Sequence, residues 1–97
     1  MYARVARFEG GTADALRQSA EDIGSRAPSG PPEGVPASGF LMLIDPDTGR
    51  SLGIAFFESE DDLRKGNEAL NEMNPMSDEG GKRTSVETYE VAVDVRA

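Results

Sequence analysis

The chain contains no cysteine and no histidine. The first absence excludes disulfides, thiolate metal sites and a Cys nucleophile. The second removes the usual general base at neutral pH and the commonest metal ligand. Long apolar runs are missing too. The opening MYARVARFEG lacks a charged segment followed by a long apolar one, and no run approaches the roughly 18 apolar residues of a membrane span. The expectation is a cytoplasmic protein. Positive charge is scarce: ten Lys and Arg stand against eighteen Asp and Glu, for a net charge of −8. The closest basic groupings are Arg4 with Arg7, Arg64 with Lys65, and Lys82 with Arg83, and none makes a stripe. Nucleic acid and anionic membrane are therefore unfavourable partners, because phosphate neutralisation needs clustered cations.

What is present fits one domain over residues 1–97, with a hydrophobic fraction of 37%. A chain of this size buries somewhat over about 60% of its unfolded surface, enough for one core. Met1 to Phe8 reads as a strand with Tyr2, Arg4, Ala6 and Phe8 on one face and Ala3 and Val5 on the other. Thr12 then caps a helix whose Ala13, Leu16, Ala20 and Ile23 share a face, with Gly24 as its stop. Residues 25–38 are rich in Pro, Gly and Ser and predict a long loop, a mobile spacer rather than an ordered flap.

GFLMLI over Gly39 to Ile44 and LGIAFF over Leu52 to Phe57 form an antiparallel hairpin, with Asp45, Pro46 and Gly49 supplying its turn. Ser59 caps a second helix with Glu60, Asp61 and Asp62 in its first turn. Leu63, Gly66, Leu70 and Met73 share one face of that helix, which ends near Asn74, before Pro75. Residues 75–84 form a polar loop, and Ser85 to Val95 closes the chain as a strand with Tyr89, Val91, Val93 and Val95 on one face. The order is βαββαβ: an α+β, ferredoxin-like fold with a four-stranded antiparallel sheet and two helices on one side.

Two helices cover one face of such a sheet, yet the hairpin strands are apolar on both. Phe40, Met42 and Ile44 oppose Leu41 and Leu43; Leu52, Ile54 and Phe56 oppose Gly53, Ala55 and Phe57. A face of about 300 Å² follows from strand dimensions, near the upper end for a soluble monomer. Covering it stabilises by about 8 kcal/mol per subunit, against association costs of about 4–15 kcal/mol. Dimerisation through the sheet is the expectation; the alternative is that the Pro-rich loop covers the hairpin.

Element order, the stretch GFLMLIDPDTGRSLGIAFFESEDDL and the closing VETYEVAVDV resemble the dimeric α+β barrel superfamily, which includes antibiotic-biosynthesis-monooxygenase-like domains and many small bacterial proteins. The resemblance implies a homodimer packed sheet to sheet and, in some members, monooxygenase, isomerase or haem-degrading chemistry. Members that degrade haem use a histidine ligand, a role no residue here can fill. Cofactor-free oxygenases of the superfamily hold phenolic substrates with polar pocket side chains. Tyr2, Arg4, Asn67, Asn71 and Tyr89 are chemically similar ligand-binding candidates, but none matches a catalytic motif.

Each candidate has a plainer account. Arg4 can meet a carboxylate or phenolate in an apolar cavity, although the reading favoured for Arg4 and Arg7 is an ion pair with a strand carboxylate such as Glu90 or Asp94, or a rim position. Tyr89 fits core or interface, where its hydroxyl needs a partner. Asn67 and Asn71, one helical turn apart, form a polar lip or are simply solvated. The acidic run Glu58, Glu60, Asp61, Asp62 is explained by helix capping, and neither it nor DPDTG has the ligand spacing of a calcium loop. No metal or cofactor is expected. Two functions compete: a non-enzymatic ligand- or protein-interaction domain, and a cofactor-free monooxygenase or isomerase acting on a small aromatic or apolar substrate.

Overall fold

The structure is a computed structural model describing residues 1–26, 30, 34–72 and 81–96. Its elements are β1 (Tyr2–Glu9), α1 (Ala13–Arg26), β2 (Gly39–Asp45), β3 (Arg50–Phe57), α2 (Glu60–Glu72) and β4 (Lys82–Glu90). The strands form one antiparallel sheet in the order β2-β3-β1-β4. This is the βαββαβ ferredoxin-like arrangement that the hydrophobic patterning predicts.

Both helix starts are fixed by the hydroxyls that the sequence supplies. Thr12 Oγ1 accepts from the Ala15 amide at 3.1 Å, and Ser59 Oγ accepts from the Asp62 amide at 3.1 Å. Each bond satisfies one of the amides that a helix N-terminus leaves without a partner. The hairpin turn likewise forms where expected. The Gly49 amide donates to the Asp45 carbonyl at 2.9 Å, and Gly49 takes φ +76° while packed against the Gly11 backbone. A side chain at that position meets both strain and a steric clash.

Register assigns the faces. Tyr2, Arg4 and Ala6 of β1 pair with Phe57, Ala55 and Gly53 of β3, and Phe40 and Met42 of β2 pair with Ala55 and Gly53. Paired residues project to the same side, and this side faces the helices. Its core is Val35, Ala55, Phe57 and Leu63, with Tyr2, Ala37, Ala69 and Leu70 packed around it. Phe57 and Leu16 are wholly buried. Gly66 lets α2 lie directly on the Phe57 ring, because a Cβ there would overlap the ring.

The strands β1, β2 and β3 differ by one or two residues at their ends from the sequence reading, and the larger departures each have a physical reason. Helix α1 runs through Gly24 to Arg26, since Gly24 lacks the positive φ of a C-terminal cap. The loop over residues 25–38 is not a free spacer throughout: Val35 is buried in the core and the Ser38 amide donates to the Phe56 carbonyl at 2.7 Å. Strand β4 starts at Lys82 rather than Ser85, so Lys82, Arg83 and Thr84 leave the expected polar loop. It ends at Glu90 because β1 has run out: the Val91 amide bonds the Met1 carbonyl, and Val93 and Val95 beyond are exposed. The expected helix end near Asn74, the Met73 contact and the loop over 75–80 lie outside the described residues.

The Gly66–Phe57 contact yields a test. Alanine normally favours a helix by about 1 kcal/mol over glycine, but overpacking costs about 1–3 kcal/mol. Gly66→Ala should therefore lower stability in chemical denaturation despite its better helix propensity, and Phe57→Leu should rescue part of the loss. A Gly66→Ala variant more stable than the parent would refute the contact.

Candidate functional site

Tyr2, Arg4, Asn67 and Asn71 are brought to the helix side of the sheet, whereas Tyr89 lies on the opposite face. Arg4 sits in the middle of β1, pairing with Ala55 on one flank and Thr88 on the other. It is buried, with 5% exposure. Its Nε donates to Asn67 Oδ1 at 2.9 Å and its Nη2 to Asn71 Oδ1 at 2.9 Å. The two asparagines are one turn apart on α2, so a single helix face presents both acceptors to one guanidinium.

The ion pair expected for Arg4 with Glu90 or Asp94 is not formed. Glu90 pairs with Tyr2 at the strand end and is exposed, while Asp94 lies beyond β4 and pairs with Arg96. Asn67 and Asn71 are correspondingly more than a solvated lip.

A second cation joins them. Arg83 points its Nη1 and Nη2 at the Leu70 and Asn71 carbonyls, at 3.3 and 3.5 Å, near the end of α2. There it meets the negative pole of the helix dipole. In a regular strand Arg83 shares a face with Ser85, Glu87 and Tyr89. The irregularity opposite Arg7 and Phe8 moves the pairing from Ser85 to Arg83, so Thr84 is extra and Arg83 turns to the helix side. Burial lowers the Arg4 pKa, and the Arg83 charge lowers it further. Among the described residues neither Arg4 nor Arg83 belongs to an ion pair.

The opposite face carries a different polar group. Arg7 Nε donates to Glu87 Oε1 at 2.6 Å, and the Tyr89 hydroxyl donates to Glu87 Oε2. Arg7 thus finds a strand carboxylate, as the sequence leads one to expect, but the partner is Glu87. Around this cluster the face is apolar: Leu41 and Leu43 are half exposed, and they pair with Ile54 and Leu52. A shallow depression at the hairpin end is lined by Arg7, Leu43, Asp45, Arg50, Ser51 and Leu52 among others. The described end of the Pro-rich loop packs with Phe57 and Leu63 on the helix side, not over this surface. Among the described residues no three Asp, Glu, His or Cys side chains gather into a metal cluster, and no helix is long and apolar enough to cross a membrane.

Four antiparallel strands in βαββαβ order, with both helices on one side, define a ferredoxin-like fold. Two solved structures share it. One is a point mutant of MhuD with two manganese protoporphyrin IX molecules bound per active site: 18% identity, 100% of both chains covered, TM-score 0.63. The other is the haem degrader MhuD from Mycobacterium tuberculosis with two haems bound in its active site: 16% identity, 99% of this chain and 100% of that one covered, TM-score 0.63. No protein-family model matches the sequence, and neither does any curated protein. At these identities the likeness is one of fold, the fold that the sequence resemblance implies.

The Glu87 cluster has a pH signature. The Arg7 hydrogen bond, then that from Tyr89, holds the Glu87 carboxyl below its ordinary value. A lowered folded-state pKa contributes stability that is fully present above the unfolded value of about 4.3 and is lost as pH falls through the folded one. The melting temperature of Glu87→Gln should therefore fall less than that of the parent between about pH 5 and pH 3. Equal falls would show that the cluster contributes nothing.

Proposed function

We propose that this chain is a homodimeric ligand-binding domain without chemistry of its own. Two subunits meet open sheet face to open sheet face, and each holds a small apolar or aromatic molecule on its helix side, near Tyr2, Arg4, Asn67 and Asn71. The observation that carries the reading is the sheet's apolar character on both sides. On the open side Leu41 and Leu43 stand beside Ile54 and Leu52 with no cover among the described residues. On the helix side Phe40 remains 53% exposed, beyond what α1 and α2 cover. Exposed apolar area of this kind marks interaction sites in soluble proteins. Tyr89, with Glu87 and Arg7, is then an interface residue and not a contact to ligand.

The absence of histidine favours binding over catalysis, since no side chain titrates near neutrality without a large pKa shift. A metalloporphyrin, held as manganese protoporphyrin IX in one structural neighbour and as haem in the other, does not suit the residues here. The chain offers no His or Cys to the metal. The second reading, a cofactor-free monooxygenase or isomerase acting on a small aromatic substrate, draws on the fold shared with haem degraders.

Sedimentation equilibrium should give twice the 10.4 kDa chain mass, and Leu43→Glu should return the protein to one. In the dimer, a phenol, quinol or fatty-acid panel should raise the melting temperature for at least one class. A monomer at high micromolar concentration would remove the dimer, and no thermal shift from any class in a confirmed dimer would remove the ligand. Oxygen uptake on adding a quinol would instead favour the monooxygenase.

A further inference from the structure

We infer that the ligand carries an anionic oxygen, a carboxylate or phenolate, and that it docks on the free fork of Arg4. The inference rests on the ligand-binding reading above and adds the charge and anchoring point of the molecule bound. A guanidinium has five N–H donors. Here Asn67 takes the Nε proton and Asn71 takes one from Nη2. These two bonds use the side-on edge of the group. The end-on edge, formed by Nη1 and the remaining Nη2 proton, has no hydrogen-bond partner among the described residues. Nor is Nη1 sealed in: among the described residues the one buried side-chain polar atom without a partner is Ser51 Oγ. The free fork therefore remains within reach of solvent while the rest of the residue is covered.

The electrostatics point the same way. Asn67 and Asn71 are neutral, so they orient the guanidinium without cancelling its charge. The ionised neighbour that perturbs Arg4 is another cation, Arg83, which meets the same stretch of α2. A buried cation without a counter-ion is costly, and two that converge on one helix end increase the cost. An anion on the fork relieves both. The end-on edge matches a carboxylate bidentately, a geometry that a lysine cannot reproduce. Tyr2 and Phe40 project from the same side of the sheet and supply apolar surface for the body of the ligand.

The experiment uses the full chain, 15N-labelled, titrated separately with benzoate and with its neutral isostere benzamide and followed by backbone and Asn side-chain amide shifts. Charge-assisted pairing should make benzoate bind about ten- to a hundredfold more tightly, with the largest shifts at the Asn67 and Asn71 side-chain amides. Arg4→Lys should lose most of that preference, its fold being checked by the same spectra. Equal affinity for the two probes, or benzoate shifts away from Asn67 and Asn71, would overturn the anionic anchor and leave the apolar ligand site standing. Failure of both probes to bind would overturn the ligand site as well. The wild-type comparison decides even where Arg4→Lys does not fold.

Discussion

Two helices can shield only one side of a four-stranded sheet, and in this chain both sides are apolar. The side under α2 is closed by a close contact between Phe57 and Gly66, with Leu63 and Val35 completing the core. The other side has nothing over it among the described residues, although Leu41 and Leu43 lie there beside Ile54 and Leu52. A small domain has little stability to spare, roughly 5–10 kcal/mol. Leaving such a face in water wastes a contribution of similar size. The proposed dimer supplies a second sheet as cover, and the Arg7–Glu87–Tyr89 cluster gives that surface a satisfied polar patch rather than a stranded charge.

The same alternation that separates the two faces positions Arg4. Residues two apart on β1 share a side, so a strand whose Ala6 lines the core also sends Arg4 under α2. Two asparagines one turn apart on α2 then clamp its side-on edge. Arg83 is added by one extra residue in β4, which reverses the strand's facing. None of these contacts neutralises the guanidinium. On the anchor proposed above, a group held this firmly, with its end-on fork open and its charge uncompensated, is organised for an anion before the anion arrives.

Element order, both N-caps, the hairpin turn at Gly49 and the division of β1 into faces were legible because each depends on local chemistry or strict alternation. The boundaries that moved depend on tertiary context. Gly24 permits a helix stop but does not impose one, and β4 ends where β1 supplies no further partner. Val35 enters the core from a stretch whose composition speaks only of loop. Tyr2, Arg4, Asn67, Asn71 and Tyr89 are grouped as candidates by residue type, and the register places Tyr89 on the face opposite the other four. Arg83 could not be found by parity at all, because the shift in register beside Phe8 overrides it.

In the proposed homodimer the apolar face of β2 and β3 meets its counterpart in a second copy. Isotope-filtered NMR on a mixture of labelled and unlabelled chains tests this most directly, by detecting contacts between subunits alone. Intermolecular cross-peaks from the Leu43, Leu52 and Ile54 methyl groups to the aromatic rings of Phe56 and Tyr89 are the predicted result. If those methyls show no intermolecular contact and respond instead to a soluble paramagnetic probe at high protein concentration, the face is open to water and the claim is wrong.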